Sequence, residues 1–242
     1  MAQGPDRRTM SRDMAAQAQV DTGLRSYMLR VYNYMSLGVA FTGALAMIIA
    51  MNPALVMTLA PLNLVFFLGI LGLGFFAPRL MMTKSIGVAQ LCFWIYAGMW
   101  GLILAPAFFV YAQSDPMIIV RAFLITAGTF AGMSLFGYTT KRDLSPFATF
   151  FMMAAIGLII AMLVNFFFVE STGFSLLISC GVVLIFSGVT AWETQMIKNF
   201  YYESDGHDVT TRKAIFGAFM LYGSFITLFI HILNILGIMR SE

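Results

Sequence analysis

The chain alternates between long apolar runs and short polar connections. Seven runs with very few charged residues cover about residues 30–51, 59–77, 86–112, 117–138, 146–169, 174–195 and 214–238. A hydrocarbon core about 30 Å thick needs roughly 20 apolar residues per helix, so these runs have the length of membrane spans. A membrane β-barrel would instead show alternating segments of about ten residues. The pattern therefore predicts an all-α integral membrane protein with seven transmembrane helices.

Composition supports this class and leaves no room for a separate soluble domain. Of the 242 residues, 60% are hydrophobic and 10% are charged, whereas soluble domains carry about 25% charge. Residues 1–29 are polar and are predicted to form a cytoplasmic N-terminal tail. Residues 30–239 are predicted to form the transmembrane domain. The first apolar run is longer than the core of a signal peptide, about 7–15 residues, so we interpret it as a span.

Lysine and arginine residues collect on alternate connections, which predicts the orientation of the helices. One side carries Arg7, Arg8, Arg12, Arg25, Arg30, Arg79, Lys84, Lys141, Arg142, Lys198, Arg212 and Lys213. The other side carries only Arg121 and Arg240, together with Asp115 and Glu170. The N-terminus is therefore predicted to be cytoplasmic and the C-terminus to lie outside. Because the basic residues serve as topology signals, we expect the lipid bilayer, and not a nucleic acid, as the partner.

Small residues recur at helical spacing in two of the runs. Gly128 and Gly132 are four residues apart in the fourth run, and Gly38, Thr42 and Ala46 are equally spaced in the first. Such stripes let helix backbones approach closely within lipid. Both stripes are therefore predicted to lie at helix–helix contacts of a compact bundle.

The seventh run carries a stripe of polar side chains. Ser224, Thr227, His231 and Asn234 follow one another at i, i+3, i+7 and i+10, which places them on one face of a helix. Polar groups at membrane depth cost free energy unless they find partners, so this face should point into the bundle. The stripe is either a seam that is hydrogen-bonded to neighbouring helices or the lining of a pore.

One carboxylate lies near the cytoplasmic end of the sixth run. The segment SGVTAWETQMIKN, Ser187–Asn199, places Glu193 just before the chain becomes polar. Two interpretations remain open on the residues alone. Glu193 is either an interfacial carboxylate that pairs with a lysine or arginine of a loop, or a proton- or cation-sensing group.

Signatures of catalysis and of metal binding are missing from the sequence. There is no G-x-S-x-G, no Walker lysine loop and no H-E-x-x-H. Cys92 and Cys180 occur singly in different apolar runs, with no His or carboxylate beside them. We therefore expect neither an enzyme nor a bound cofactor, and we assign no metal ligands.

Three blocks of the chain read TAGTFAGMSLFGYTTKRDLS (Thr126–Ser145), TGFSLLISCGVVLIFSGVTAWETQMIK (Thr172–Lys198) and GAFMLYGSFITLFIHILNILG (Gly217–Gly237). They resemble consecutive blocks of the Bax inhibitor-1 family, also called the transmembrane Bax-inhibitor-motif family, in its bacterial branch. The resemblance covers about residues 24–237. It implies a seven-helix bundle with the last helix near the centre, placed in the bacterial inner membrane.

The resemblance also implies a function and a site. It implies that the protein is a pH-sensitive calcium leak. In such a leak, one acidic residue on the sixth helix and one on the seventh share a proton and gate an opening on the cytoplasmic side. The sixth-helix acid falls on Glu193, and the arginine that pairs with the acids falls on Arg79. Calcium or another cation is thus the implied ligand.

The seventh helix departs from the family pattern. Where members typically read Leu-Tyr-Leu-Asp-Phe-Ile-Asn-Leu-Phe, this chain reads LYGSFITLF, so that Ser224 replaces the second acid and Thr227 the asparagine. Two carboxyl groups share a proton because their charges repel, and a Glu–Ser pair has no such repulsion. The proton switch is expected to weaken. A non-conducting modulator of other membrane proteins, such as a membrane-anchored quality-control protease, is the competing functional hypothesis.

Overall fold

Eight α-helices, which make up seven membrane-length spans, form the part of the chain that the structure describes. This computed structural model describes the backbone of residues 7–241 and the side chains of residues 22–240. The helices are α1 (Arg7–Ala50), α2 (Pro53–Leu59), α3 (Asn63–Thr83), α4 (Ile86–Ser114), α5 (Pro116–Thr139), α6 (Ala148–Val164), α7 (Thr172–Asn199) and α8 (His207–Ser241). Short 3₁₀ turns precede α3 and α6, and a π-helical turn, Asn165–Val169, extends α6. No strand occurs between residues 7 and 241.

The predicted all-α fold with seven spans is confirmed. The spans are Thr22–Ala50, Pro53–Thr83, Ile86–Ser114, Pro116–Thr139, Ser145–Val169, Thr172–Asn199 and His207–Arg240. Helix α1 runs without a break through residue 30, where the sequence analysis divides a tail from a membrane domain. That division stays a prediction, and residues 1–6 of the tail lie outside the described residues.

Helix α8 lies at the centre of the bundle, as the resemblance implies. It packs against α1, α3, α4, α5 and α7. In its most apolar stretch 67% of the residues are buried, against 33% or less in every other span. The most apolar stretch of the span that contains α6 has no buried residue, and this span packs on α7 at the edge of the bundle. The polar stripe of α8 is therefore enclosed by neighbouring helices.

The small-residue stripe of α1 makes the predicted close contact. A Cβ atom at Gly38 would lie 2.6 Å from the ring of Phe93. One turn further on, the Thr42 hydroxyl donates to the Ala97 carbonyl of α4 at 2.8 Å and lies 2.7 Å from the Tyr222 hydroxyl of α8. These contacts hold α1, α4 and α8 together.

The prediction for the second stripe is wrong. A Cβ atom at Gly128 or Gly132 would meet nothing within 4 Å, and both residues are exposed. The close approach on this helix occurs at Gly137, where a Cβ atom would collide with the backbone carbonyl of Ala191 on α7. The glycines at 128 and 132 face away from the bundle because they lie on the other side of α5 from the buried residues Thr126, Phe130 and Ser134.

The last helix crosses the whole bundle. Near its start, Arg212 donates to the Lys84 carbonyl at 2.7 Å, at the junction between α3 and α4. Near its other end, Arg240 donates to the Ser114 carbonyl at 3.0 Å and lies 3.8 Å from the Asp115 carboxylate. We refer to the end that holds Lys84 and Arg212 as the basic end of the bundle. The C-terminal end of α8 lies at the opposite end.

Candidate functional site

A buried acid–hydroxyl pair joins the last two helices. Helices α7 and α8 pack closely along their length. The Ser224 hydroxyl donates a hydrogen bond of 2.6 Å to Oε2 of Glu193. Only 9% of the Glu193 surface and 3% of the Ser224 surface are exposed. The structure thus brings together two of the three predicted gating residues, and it excludes a position of Glu193 on the open surface.

Glu193 lies within α7, before the end of the helix. Asn199, the last residue of the helix, is six positions further on, which corresponds to about 9 Å along the helix axis. Ser224 lies near the middle of α8. The pair therefore sits inside the bundle, closer to the basic end than to the other.

The surroundings of Glu193 are neutral. The hydroxyl of Tyr96 on α4 lies 3.8 Å from where a Cβ atom would stand at Gly223, the residue before Ser224. The Tyr96 ring packs against the rings of Phe219 and Tyr222, with centroids 4.5 and 5.8 Å away. No lysine or arginine among the described side chains forms an ion pair with Glu193. A buried charge without a partner costs much free energy, so the protonation state of Glu193 matters to the packing of α7 on α8.

Arg79 does not reach the pair. The resemblance implies an ion pair between this arginine and the acid of the sixth span, but Arg79 is exposed. The described ion pairs are Arg121–Asp115, Lys213–Asp205 and Arg240–Asp115. Helix periodicity explains the difference, because Ala77 and Met81 face the core of the bundle and residue 79 between them points to the other side.

The rest of the polar stripe is tied mainly to α7. Nδ1 of His231 lies 3.1 Å from the Ser179 hydroxyl. The Asn234 amide donates to the hydroxyls of Ser175 and Ser179 at 3.2 and 2.9 Å. Thr227 instead donates to the Gly223 carbonyl of its own helix at 2.9 Å. Three of the four stripe residues thus form a hydrogen-bonded seam with α7, which favours the first of the two sequence interpretations.

Sequence reasoning missed the α7 side of this seam. Ser175 and Ser179 are four residues apart, so they lie on one face of α7. That spacing marks a polar face on α7, but it does not identify the helix that this face meets.

A second polar chain lies next to Glu193 and was also missed. The Tyr32 hydroxyl of α1 lies 2.6 Å from the Ser134 hydroxyl of α5, which lies 2.9 Å from the Thr194 hydroxyl of α7. Thr194 in turn donates to the Thr190 carbonyl at 2.8 Å. Three helices are joined by this chain one residue from the candidate site.

The connection between α7 and α8 closes the basic end over the site. Lys213 donates to the Phe200 carbonyl at 2.9 Å and forms an ion pair with Asp205. Lys198 donates to the Tyr138 carbonyl at 2.9 Å. These contacts fix the ends of α7 and α8 relative to each other and to α5.

Only a limited set of oxygen ligands is available at the site. Among the described residues, no group of three or more His, Cys, Asp or Glu side chains comes together. Glu193 and Ser224 offer one carboxylate and one hydroxyl, whereas calcium takes about six to eight oxygen ligands. The pair alone therefore supplies too few oxygen atoms for a stable calcium site.

Comparison with known proteins agrees with this architecture. Residues 24–241 match the family model described as Inhibitor of apoptosis-promoting Bax1. The chain is 38% identical over 225 residues to the inner membrane protein YbhL of Escherichia coli K12, covering 90% of this chain and 94% of the relative. It is also 38% identical over 222 residues to an uncharacterized protein of Deinococcus radiodurans, with 92% and 94% covered. An uncharacterized protein of Rickettsia prowazekii is 38% identical over 232 residues, with 91% and 93% covered.

The fold and the buried pair define a multi-span α-helical membrane protein with its last helix at the core. With a family model matched over nearly its whole length, the chain belongs to the Bax inhibitor-1 family. The resemblance found in the sequence is confirmed. The similarity to an inner membrane protein of Escherichia coli and the seven apolar helices support the predicted location in the bacterial inner membrane.

Proposed function

We propose that this protein is a pH-sensitive cation leak, with calcium as the first cation to test, and that Glu193 and Ser224 form its gate. The observation that carries the proposal is the buried hydrogen bond between the two residues across the α7–α8 contact. Polar and ionisable residues within a membrane bundle usually mark ion or proton pathways. Here the ionisable one lies between the two helices that would have to separate.

The gate depends on the charge of one carboxyl group. With a proton bound, Glu193 is neutral and fits its surroundings of Ser224, Tyr96 and apolar side chains. Once the proton leaves, a negative charge stands in a neutral environment without a basic partner. That charge is relieved by a cation or by water that enters between α7 and α8, and either one loosens the contact.

Arg79 has no direct part in this mechanism, because it points away from Glu193. The remaining members of the seam, His231 and Asn234, continue the polar path along α7 and α8 toward the opposite end. In this proposal they offer nitrogen and oxygen atoms to the ion or to its hydration shell after the gate opens.

Calcium flux into liposomes that contain a calcium-sensitive dye tests the gate. Wild-type flux should rise as the pH increases from about 6 to about 8, because loss of the Glu193 proton opens the gate. This range lies above the ordinary carboxyl pKa. Glu193→Gln, a neutral isostere of the protonated acid, should give pH-independent flux equal to the wild-type value at the acid end. Glu203→Gln removes an exposed carboxylate from the connection between α7 and α8 and should behave like the wild type.

Two outcomes would reject parts of the proposal. Flux that is unaffected by both Glu193→Gln and pH removes the sensing role of Glu193. Liposomes without any protein-dependent flux favour the second hypothesis, in which the protein modulates other membrane proteins and does not conduct. That hypothesis draws on the polar sequence of residues 1–29, which precedes the first apolar run.

A further inference from the structure

A long cleft opens between α1 and α5. These two helices do not pack along their length, and α8 forms the floor between them. The cleft has a volume of about 960 Å³, which lies at the upper end of the range of about 300–1,000 Å³ for ligand sites. Its walls are mainly apolar and include Met28, Met35, Ala40, Ala131, Phe130 and Phe229. The flexible methionine side chains adapt to the shape of an apolar occupant.

The cleft runs across most of the membrane. Its lining on α1 extends from Arg25 to Gly43, which is about 27 Å along a helix. The hydrocarbon core is about 30 Å thick. Leu29 on α1 and Leu135 on α5 lie on its rim and are 53% and 64% exposed. The cleft therefore faces the lipid along its side.

The positively charged side chain of Arg25 lies at one end of the cleft. Arg25 is exposed, lies at the basic end, and forms no hydrogen bond or ion pair with any other side chain within residues 22–240. All other residues that line the cleft are uncharged. An exposed guanidinium above an apolar channel is complementary to an amphiphile with an anionic head group.

The width of the cleft argues against a helix as the occupant. The hydrogen bond of 2.6 Å between Tyr32 of α1 and Ser134 of α5 crosses the gap. At this level the gap is no wider than one tyrosine side chain, whereas a helix with its side chains is about 10–12 Å across. The cleft continues on both sides of this hydrogen bond, from Leu29 to Gly43 on α1. A flexible acyl chain can follow it over the bridging side chains, whereas a transmembrane helix does not fit between α1 and α5.

We infer that the cleft between α1 and α5 binds a phospholipid whose head group carries a net negative charge and contacts Arg25, and whose acyl chain lies along α8. The site is separate from the Glu193–Ser224 pair. Tyr32 and Ser134 line the cleft, and the Ser134 hydroxyl lies 2.9 Å from the hydroxyl of Thr194, the residue that follows Glu193 on α7.

Lipid retention measured by native mass spectrometry tests the inference. The full-length protein is equilibrated in vesicles of equal parts dioleoyl phosphatidylglycerol and dioleoyl phosphatidylcholine, then extracted in mild detergent. The wild type should retain one phosphatidylglycerol in preference to phosphatidylcholine. Arg25→Gln should lower that preference about fivefold, the effect of one cation at an anionic lipid surface. Ala131→Phe fills the cleft and should remove the retained lipid of either kind.

Each variant has a matched control outside the cleft. One control removes a positive charge, and the other adds the same aromatic ring on a neighbouring residue. Lys141→Gln removes an exposed cation of the connection after α5 that does not line the cleft. Gly132→Phe adds the same ring as Ala131→Phe on the neighbouring residue, which points to open space. Both should retain phosphatidylglycerol like the wild type.

Three results would overturn the inference. The first is a wild type that retains no phosphatidylglycerol in excess over phosphatidylcholine. The second is an Ala131→Phe variant that retains as much lipid as Gly132→Phe. The third is a wild type isolated as a dimer that Ala131→Phe converts to a monomer, because a second copy would then be the occupant.

Discussion

A hydroxyl at position 224 cannot share a proton with Glu193 as a second carboxyl group would. Ser224 donates a 2.6 Å hydrogen bond to the carboxylate, as a protonated acid at this position would. It offers no charge of its own, so the pair lacks the repulsion that holds a proton between two acids. The short distance shows that a side chain at position 224 lies within hydrogen-bond reach of Glu193.

Restoring the acid should restore the shared proton. In Ser224→Asp two carboxyl groups face each other at hydrogen-bond distance, and one proton between them relieves their repulsion. The change in calcium flux with pH should therefore move to higher pH than in the wild type, because the last proton is held by the repulsion between the two charges. The measurement is dye-reported flux in liposomes over the same pH range.

Thr227→Asp is the matched control for this variant. It adds the same acid one turn further along α8, at a hydroxyl that bonds its own helix and not Glu193. Its pH profile should remain that of the wild type. If Ser224→Asp and Thr227→Asp shift the profile equally, the effect is one of added charge, and the pairing with Glu193 is not its cause.

At the scale of helices, the packing of α5 on α7 depends on a glycine that the sequence analysis did not single out. A Cβ atom at Gly137 would lie 2.8 and 2.9 Å from the carbonyl carbon and Cα of Ala191 and still closer to its oxygen. Backbone atoms of a helix cannot move aside as the end of a flexible side chain can. The two helices approach closely here because residue 137 has no side chain.

Gly137→Ala should therefore destabilise the bundle. Overpacking of this kind costs roughly 1–3 kcal/mol, which should appear as a lower midpoint of thermal unfolding in detergent. Gly132→Ala introduces the same methyl group on α5, five residues away, where nothing lies within 4 Å. A Gly137→Ala midpoint that equals the midpoint of Gly132→Ala would contradict the close contact.

A single sequence predicts the number and the position of the helices better than it predicts which of their faces make contact. Hydrophobic runs are long and continuous, so the seven spans follow from length alone. Gly128 and Gly132 were assigned to a contact because their spacing matches a packing motif, but spacing does not say which face of a helix meets a neighbour. Arg79 illustrates the same limit, since its outward direction depends on which residues of α3 pack inside.

The partners of the polar stripe could not be derived either. That Ser224 meets Glu193 and that Asn234 meets Ser179 depends on the vertical alignment of α7 and α8. This alignment is set by the connection between the two helices, where Lys213 holds Asp205 and the Phe200 carbonyl. Contacts of that kind have no periodic signal in the sequence.

For the whole molecule, the central helix is held at both ends. Arg212 binds the Lys84 carbonyl at the basic end, and Arg240 binds the Ser114 carbonyl at the other. The five helices that surround α8 therefore enclose an element that cannot slide along its axis without breaking one of these contacts. Movement at the proposed gate is thus more readily a separation or rotation of α7 than a translation of α8.

The orientation of this bundle in the membrane follows from its uneven charge and can be measured. Because lysine and arginine collect at the basic end, that end is predicted to face the cytoplasm. With Cys92 and Cys180 replaced by alanine, a cysteine at Lys141 or at Arg240 is treated with a membrane-impermeant maleimide in cells with a permeabilised outer membrane. The cysteine at 240 should react, and the one at 141 should react only after the inner membrane is opened. Labelling in the reverse order would invert the bundle and would place the Glu193–Ser224 pair nearer the outer surface.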